Sequence, residues 1–331
     1  MRSVPAGSFQ RLSDFSTLWA AWRSYRRGKR RRAAVAAFDI DADLNVLALH
    51  HDLRAGRYAP SPYRVSLVQD PKIRLVAAPA LRDRVVQRAL VDTIAPAYER
   101  GFIDQSYAVR SERGPHRAVL AYLCWMRQYR FRLHLDVRHY FASIEHQRLL
   151  ALFSRRLADR LTLALIARML ETGGAVYRHP LAALALGDHA IPTGCGLPLG
   201  GYLSHWSGGL YLDGLDHHVK RALKVPGYLR YMDDFVLFMD SAPGIEAAGR
   251  AIADWLQGER GLTLKDPGAA PIENTRPAVF VGFRVSRAGI GPGPKARRRL
   301  RWRLRQAEAI DPEHLARSLR AFRGMWGALG G

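Results

Sequence analysis

Tyr228-Leu229-Arg230-Tyr231-Met232-Asp233-Asp234-Phe235-Val236-Leu237-Phe238-Met239 is the stretch whose reading decides the fold. Two apolar, aromatic-rich runs flank two adjacent carboxylates. No Gly or Asn stands beside the acids, as it would at an ordinary loop tip. The pattern predicts a β-hairpin with the acids at its tight turn. Two like charges on so apolar an element repel each other and are costly to bury unless a cation neutralises them. Hard carboxylate oxygens of this kind suit Mg²⁺, which commonly uses one or two carboxylates together with substrate phosphates.

A third carboxylate lies upstream. Phe131 to Val137 (Phe-Arg-Leu-His-Leu-Asp-Val) alternates as a strand and ends on Asp136, just before the aromatic pair Tyr140-Phe141. Carboxylates from separate strands can clamp two metals that stabilise the attacking and leaving oxygens of a phosphoryl transfer. Aspartates at strand ends, an apolar hairpin and a basic chain together point to a nucleotide polymerase.

The composition narrows the partners. The chain has 331 residues, 48% of them hydrophobic, enough for a real core in one large domain or two to three smaller ones. A formal charge of +22 and a pI near 10.8 call for a polyanion, nucleic acid first and an acidic membrane surface second. No apolar run is long enough to span a bilayer. Two cysteines, Cys124 and Cys195, make neither a disulfide framework nor a zinc site, and are expected as small buried residues. The N-terminus lacks the continuous apolar stretch of a signal peptide, so a cytoplasmic location is expected.

Tyr231-Met232-Asp233-Asp234 resembles the catalytic box of reverse transcriptases. Leu135-Asp136-Val137-Arg138-His139-Tyr140-Phe141-Ala142-Ser143-Ile144 resembles their first aspartate motif, in its group II intron-like and retron-like form. The fold this implies is an α/β right-hand polymerase, with fingers, a palm built on an antiparallel sheet and a small α-helical thumb. The resemblance implies that Asp136, Asp233 and Asp234 are catalytic. It also implies that they hold two Mg²⁺, for which Mn²⁺ can substitute, with Val137 giving only its backbone carbonyl. Phe141 falls five residues past the first aspartate, where the family's gate stacks under the sugar and leaves no room for a 2′-hydroxyl.

The rest of the chain reads consistently in order. Phe15, Leu18, Trp19 and Trp22 sit at helical spacing, ahead of the basic run Arg23 to Arg32, expected to meet phosphates. A helix over Leu44 to Leu53 follows. Tyr63 to Val68 and Lys72 to Val76 alternate as a strand pair with a turn at Asp70-Pro71. Lys72 and Arg74 share one face of the second strand and could hold a triphosphate; the pair resembles the family's fingers hairpin, whose basic residues meet the incoming nucleotide. Leu81 to Ile94 reads as a helix. Residues 101–118 resemble the family's fingers motif, with Arg110 as a nucleotide contact, Arg113 as a template contact and His116 structural at a helix start. Template and primer contacts are also expected at Tyr231, Met232 and Gly282, the last at a primer-grip-like hairpin in Phe280-Val281-Gly282-Phe283. Residues 286–294, rich in Gly and Pro, read as a linker. Lys295, Arg298 and Arg301 open a basic helix suited to a template–primer duplex, and a helix from about Glu313 to Trp326 follows. Lys265 is a candidate to protonate the pyrophosphate leaving group, but is read as solvent-facing. The expected divisions are a basic helical extension (1–62), fingers (63–130), palm (131–285) with a nucleotide and template loop at 194–205, and linker plus thumb (286–331). No RNase H or endonuclease domain is expected.

Gly196-Leu197-Pro198-Leu199-Gly200-Gly201 opens a helix expected to run to about Leu223. Leu199 replaces the Gln that most group II-like enzymes place between Pro and Gly; Leu199 and Gly200 are expected at the nucleotide. An apolar residue there resembles the error-prone reverse transcriptases of diversity-generating retroelements, which implies a fidelity role for Leu199. That resemblance implies template RNA, cDNA primer, dNTPs and a small basic oligomeric accessory protein as partners, and no membrane. His205 stands where those enzymes usually carry Gln. This keeps open a reverse transcriptase of an anti-phage defence or CRISPR-associated system. Two further readings are a non-catalytic RNA-binding protein on a polymerase scaffold and a basic protein that coats nucleic acid, the latter needing neither metal nor dNTP.

Overall fold

The computed structural model describes residues 4–69, 72–110, 112–187, 189–306 and 312–327; the turn expected at Asp70-Pro71 lies outside them. Four helices come first: α1 (Ser8–Ser13), α2 (Phe15–Arg26), α3 (Ala33–Ile40) and α4 (Ala42–Arg54). Strands β1 (Arg64–Gln69) and β2 (Ile73–Ala78) precede α5 (Leu81–Glu99), α6 (Pro115–Gln128) and β3 (Phe131–Asp136). Helices α7 (Tyr140–Ser143), α8 (His146–Ser154), α9 (Arg160–Gly174), α10 (Leu181–Leu186), α11 (Tyr202–Tyr211) and α12 (Asp213–His217) follow. Then come β4 (Gly227–Tyr231), β5 (Asp234–Met239), α13 (Ala242–Trp255) and the short strand β6 (Ile272–Glu273). Strands β7 (Ala278–Phe280), β8 (Phe283–Ser286) and β9 (Gly289–Pro292) lead to α14 (Pro294–Arg305) and α15 (Pro312–Gly327). The chain divides into two compact units: residues 1–102, 138–213 and 256–263, and residues 103–137, 214–255 and 264–331.

The first unit is mainly helical. Leu18 and Trp22, one turn apart on α2, are fully buried, and the Trp22 ring lies 4.4 Å from that of Phe38. Phe15 is 36% exposed and stacks on Trp19, so the apolar stripe read from the spacing is only half core. Val85, Val86, Ala89, Leu90, Val91 and Ile94 make α5 apolar on several faces, and all are fully buried. So broad a buried face makes α5 central to its unit, and each large apolar side chain buried there contributes about 1.5–3 kcal/mol. Strands β1 and β2 form an antiparallel hairpin with Gln69 opposite Ile73. Its inner residues Leu75 and Ala77 pack with Val176 and Ala182. The helix expected to run on to Leu223 is broken: α11 stops at Tyr211, α12 follows, and His218–Ala222 is a π-turn.

The second unit is built on an antiparallel sheet of order β4-β5-β3-β6. Its strands alternate because successive side chains point to opposite faces. Leu229, Val236 and Phe238 join Ala118, Val119, Tyr122 and Met126 of α6 in one buried cluster. Gly249 lets α13 pack closely on β3: a Cβ there would lie 2.8 Å from the Leu133 side chain, which would have to shift. Phe280, Phe283 and Val285 extend the α6 cluster into a second antiparallel sheet, β7-β8-β9.

Two further expectations need correction. Residues 289–292 are not linker but strand β9, paired with β8, and Ile290 packs against the α6 cluster. Gly and Pro there shape the hairpin end, and the open edge of β8 supplies hydrogen bonds that local propensity does not show. Cys124 is exposed and Cys195 half-buried rather than both buried. Lys265 is exposed, as expected, and its ammonium also pairs with Asp136, as described below. Among the described residues, no helix is long and apolar enough to cross a membrane.

Candidate active site

The aspartates converge at one end of the central strands of the second unit's main sheet. In the β4–β5 hairpin Tyr231 pairs with Asp234, which leaves Met232 and Asp233 as the two turn residues. Strand β3 pairs with β5 on the other side, and Asp136 lies directly opposite Asp234. Opposed residues of an antiparallel pair put their side chains on the same face, so Asp136 and Asp234 share a face at the strand ends. Met232 has φ +60° and Asp233 does not share that sign. This is the sign pattern of a type II′ turn, whose first position favours glycine. A methionine held there stores on the order of 1–3 kcal/mol, which the surrounding structure must offset.

The electrostatics follow from that crowding. The Asp234 carboxyl is pushed up to about 7, first by burial and then by the charges of Asp136 and Asp233, with Lys265 opposing. Lys265 donates its Nζ to Asp136 Oδ2 at 3.0 Å, and its backbone N–H to the Asp136 carbonyl at 2.8 Å. The ion pair is open to water, with the two side chains 54% and 45% exposed, and such a pair contributes about 0–1 kcal/mol. Its greater consequence is positional: an ammonium sits on a carboxylate in a site short of positive charge. Val137 is buried and bridges in antiparallel fashion to Leu264.

Among the described residues no three His, Cys, Asp or Glu side chains are already gathered as a metal cage. The donor set nonetheless suits Mg²⁺. It is all carboxylate oxygen, it comes from two paired strands, and a buried carboxylate already crowded by two others is the environment a divalent cation relieves.

Several other expected residues belong to the first unit. Arg74 lies exposed on β2, and Lys72 precedes it, exposed. The loop before α11 is pinned to the same strand: Ala77 donates its N–H to the Leu199 carbonyl at 2.8 Å. Gly200, at φ +132°, would put a Cβ 2.5 Å from the Ala77 carbonyl oxygen, so this close approach requires glycine. Leu199 itself is half-buried. Phe141 on α7 is packed edge-on by His205, ring centroids 5.7 Å apart, and Gly208 leaves the room its ring occupies. Burial pushes the His205 imidazole below its ordinary value.

The remaining basic residues lie in the second unit. Arg110 donates to the carbonyls of Ile103 and Ser106, bracing its own loop. Arg113 pairs with Asp104 and lies over the Tyr107 ring. His116, one residue into α6, meets the Phe283 ring edge-on. Gly282, at φ +87°, forms the β7–β8 turn, and a Cβ on Gly293 would collide with its carbonyl. Lys295, Arg298 and Arg301 are exposed on α14, which buries no residue. Arg284, Arg297, Arg298, Arg301 and Arg305 line one groove there with Trp302, which is 60% exposed.

Two residues of this region escaped the sequence reading. Arg230 and Asp216 form a fully buried ion pair behind the aspartate turn. The available signal was a charged residue inside an apolar strand, three positions before the acids.

The family described as "Reverse transcriptase (RNA-dependent DNA polymerase)" matches residues 68–267. Protein YkfC of Escherichia coli (strain K12) is 26% identical over 279 residues, 72% of this chain and 70% of YkfC. Group II intron-encoded protein LtrA of Lactococcus lactis subsp. cremoris is 26% identical over 170 residues, 50% of this chain but only 27% of LtrA. Telomerase of Candida albicans, solved with a fragment of telomeric RNA, superposes at a TM-score of 0.47 with 12% identity, covering 71% of this chain and 46% of that one. Apo telomerase of Candida tropicalis also superposes at 0.47, with 11% identity, over 71% of this chain and 49% of that one. The matched segment takes in both aspartate motifs, Lys72 and Arg74 of the basic hairpin and the Leu199 loop, and the chain belongs to the reverse transcriptase (RNA-dependent DNA polymerase) family.

Proposed function

We propose that this chain copies an RNA template into cDNA as the error-prone enzyme of a diversity-generating retroelement. The primer 3′-hydroxyl attacks the α-phosphorus of a dNTP; the new P–O bond forms as the bond to pyrophosphate breaks. Asp136, Asp233 and Asp234 would hold Mg²⁺, with the Val137 carbonyl, and the ions would supply positive charge to the attacking and leaving oxygens. Lys72, Arg74 and Arg110 bind the triphosphate, and Phe141 excludes a 2′-hydroxyl by bulk. Arg113, Tyr231, Met232, Gly282, Lys295, Arg298 and Arg301 position template and primer. These assignments follow the divisions given above, with fingers, palm and thumb in chain order.

The observation that carries the error-prone reading is Leu199. Its main chain is tied to β2 through Ala77, and its side chain can pack but cannot hydrogen-bond. A purely steric contact holds a nascent base pair less strictly than a hydrogen bond, because an unmade hydrogen bond is what penalises a wrong partner. A structured template RNA and a small basic accessory protein complete the proposal, and the cytoplasm is the proposed compartment. The second reading, a defence or CRISPR-associated enzyme, is favoured by His205 in place of Gln.

Primer extension on a defined RNA with dNTPs and Mg²⁺, followed by sequencing, tests both. Substitutions concentrated at template adenines, reduced in Leu199→Gln, support the first reading. Accurate synthesis removes it and leaves the second. If no synthesis occurs even with a candidate accessory protein and cognate RNA, the non-catalytic reading takes its place.

A further inference from the structure

We infer that Arg230, held by Asp216, is the positioning residue that sets the catalytic turn. The Arg230 side chain is 1% exposed and that of Asp216 is fully buried. Arg230 donates Nε to Asp216 Oδ1 at 2.7 Å and Nη2 to Oδ2 at 2.5 Å. Tyr228, two residues away on the same face of β4, donates its hydroxyl to Oδ1 at 2.7 Å. The third arm of the guanidinium, Nη1, donates to the Met232 carbonyl at 3.0 Å.

That last bond gives the cluster its role. The Met232 carbonyl and the Asp233 N–H belong to one rigid peptide plane. Fixing the oxygen therefore fixes the plane from which Asp233 departs and on which Asp234 follows. It also helps to hold Met232 in its left-handed conformation. A buried ion pair is a poor source of stability, since a well-packed apolar pair of similar volume commonly does as well or better. Its geometry is another matter. Only a guanidinium can grip a carboxylate with two nitrogens and still aim a third at a carbonyl; a lysine ammonium cannot span both.

The inference rests on the aspartate turn being the metal-binding and catalytic element. Its test pairs Arg230→Met/Asp216→Leu with Arg230→Lys, each measured by thermal melting, Mn²⁺ binding by electron paramagnetic resonance, and single-turnover primer extension. The double variant should stay folded, yet lose about 10–100-fold in Mn²⁺ affinity and in extension rate, as outer partners of metal ligands do. Arg230→Lys should stay folded and show the same loss of Mn²⁺ affinity. Leu229→Ala, on the opposite face of β4, should lower the melting temperature without moving Mn²⁺ affinity. Wild-type Mn²⁺ binding and extension in the folded double variant would overturn the assignment. If that variant does not fold, unchanged Mn²⁺ affinity in Arg230→Lys overturns it just as well. A wild type that binds Mn²⁺ but extends no primer would count against the polymerase reading alone, because the Mn²⁺ comparison still decides the role of Arg230.

Discussion

The aspartate hairpin and helix α14 both carry charge, and they are built in opposite ways. The hairpin's acids stand on strands whose inner residues are fully buried, over an Arg–Asp pair that water does not reach. Helix α14 carries Lys295, Arg298 and Arg301 on a helix with no buried residue at all. Chemistry at a phosphorus atom needs ligands placed to a fraction of an ångström, so it needs a rigid, buried support. Gripping a phosphate backbone needs only charge within reach, which long exposed side chains supply.

That contrast predicts unequal responses to substitution. Asp136→Ala or Asp234→Ala should lower primer extension by roughly a thousandfold or more, with RNA binding nearly intact; filter binding beside single-turnover extension reads both. An active Asp234→Ala would break the comparison at its strongest point.

A smaller effect concerns pH. Asp234 has a folded-state midpoint near 7, above its ordinary 3.8, so the native chain keeps a proton there that the unfolded chain has lost. The unfolded state binds fewer protons between about pH 4 and pH 7, so stability falls across that window as pH rises. In metal-free buffer the fall attributable to Asp234 should be on the order of 4 kcal/mol over the whole window, about 2–3 kcal/mol of it between pH 5 and pH 8. Asp234→Asn should flatten it and be the more stable protein at pH 8. Chemical denaturation at pH 5 and pH 8 with a chelator present is the measurement, and an unchanged slope in the variant refutes the burial argument.

On the basic side, Arg298→Ala/Arg301→Ala should weaken duplex binding about equally for all sequences. It should also reduce the slope of log affinity against log salt by about two, one for each phosphate that no longer meets a guanidinium. A sequence-dependent weakening would show that α14 does more than grip phosphates. The smallest expected change concerns Phe141. Because His205 packs edge-on against it, His205→Ala should loosen the ring and raise ribonucleotide incorporation by a few-fold, less than Phe141→Ala does, as two bulky groups in contact share the steric work.

Much of this was legible beforehand because its cause is local. Alternation over Phe131–Asp136 and around Asp233-Asp234 yields strands in either context, and the helices over 42–54, 81–99 and 294–305 follow from periodic apolar or strongly basic runs. The acids stood out because carboxylates between aromatic strands are unfavourable without a cation. The misreadings share one cause. Residues 289–292 became a strand because β8 offered an edge, and half of the Phe15–Trp22 stripe faced outward because packing chose which side of α2 to cover. Neither choice is encoded within a short window of neighbouring residues.

The sequence by itself determined the chemistry available: three aspartates at strand ends, an apolar residue at position 199, and an excess of positive charge for a polyanion. Tertiary structure alone decided which groups meet. It set Asp136 opposite Asp234 and placed Lys265, 129 residues away, on Asp136. It also closed Asp216 and Arg230 into a dry pair behind the turn. Residue type fixes charge and hydrogen-bonding capacity. Burial and distance arise only when segments far apart in the chain pack together, and they settle whether a carboxylate is held at the ordinary value or pushed up to about 7.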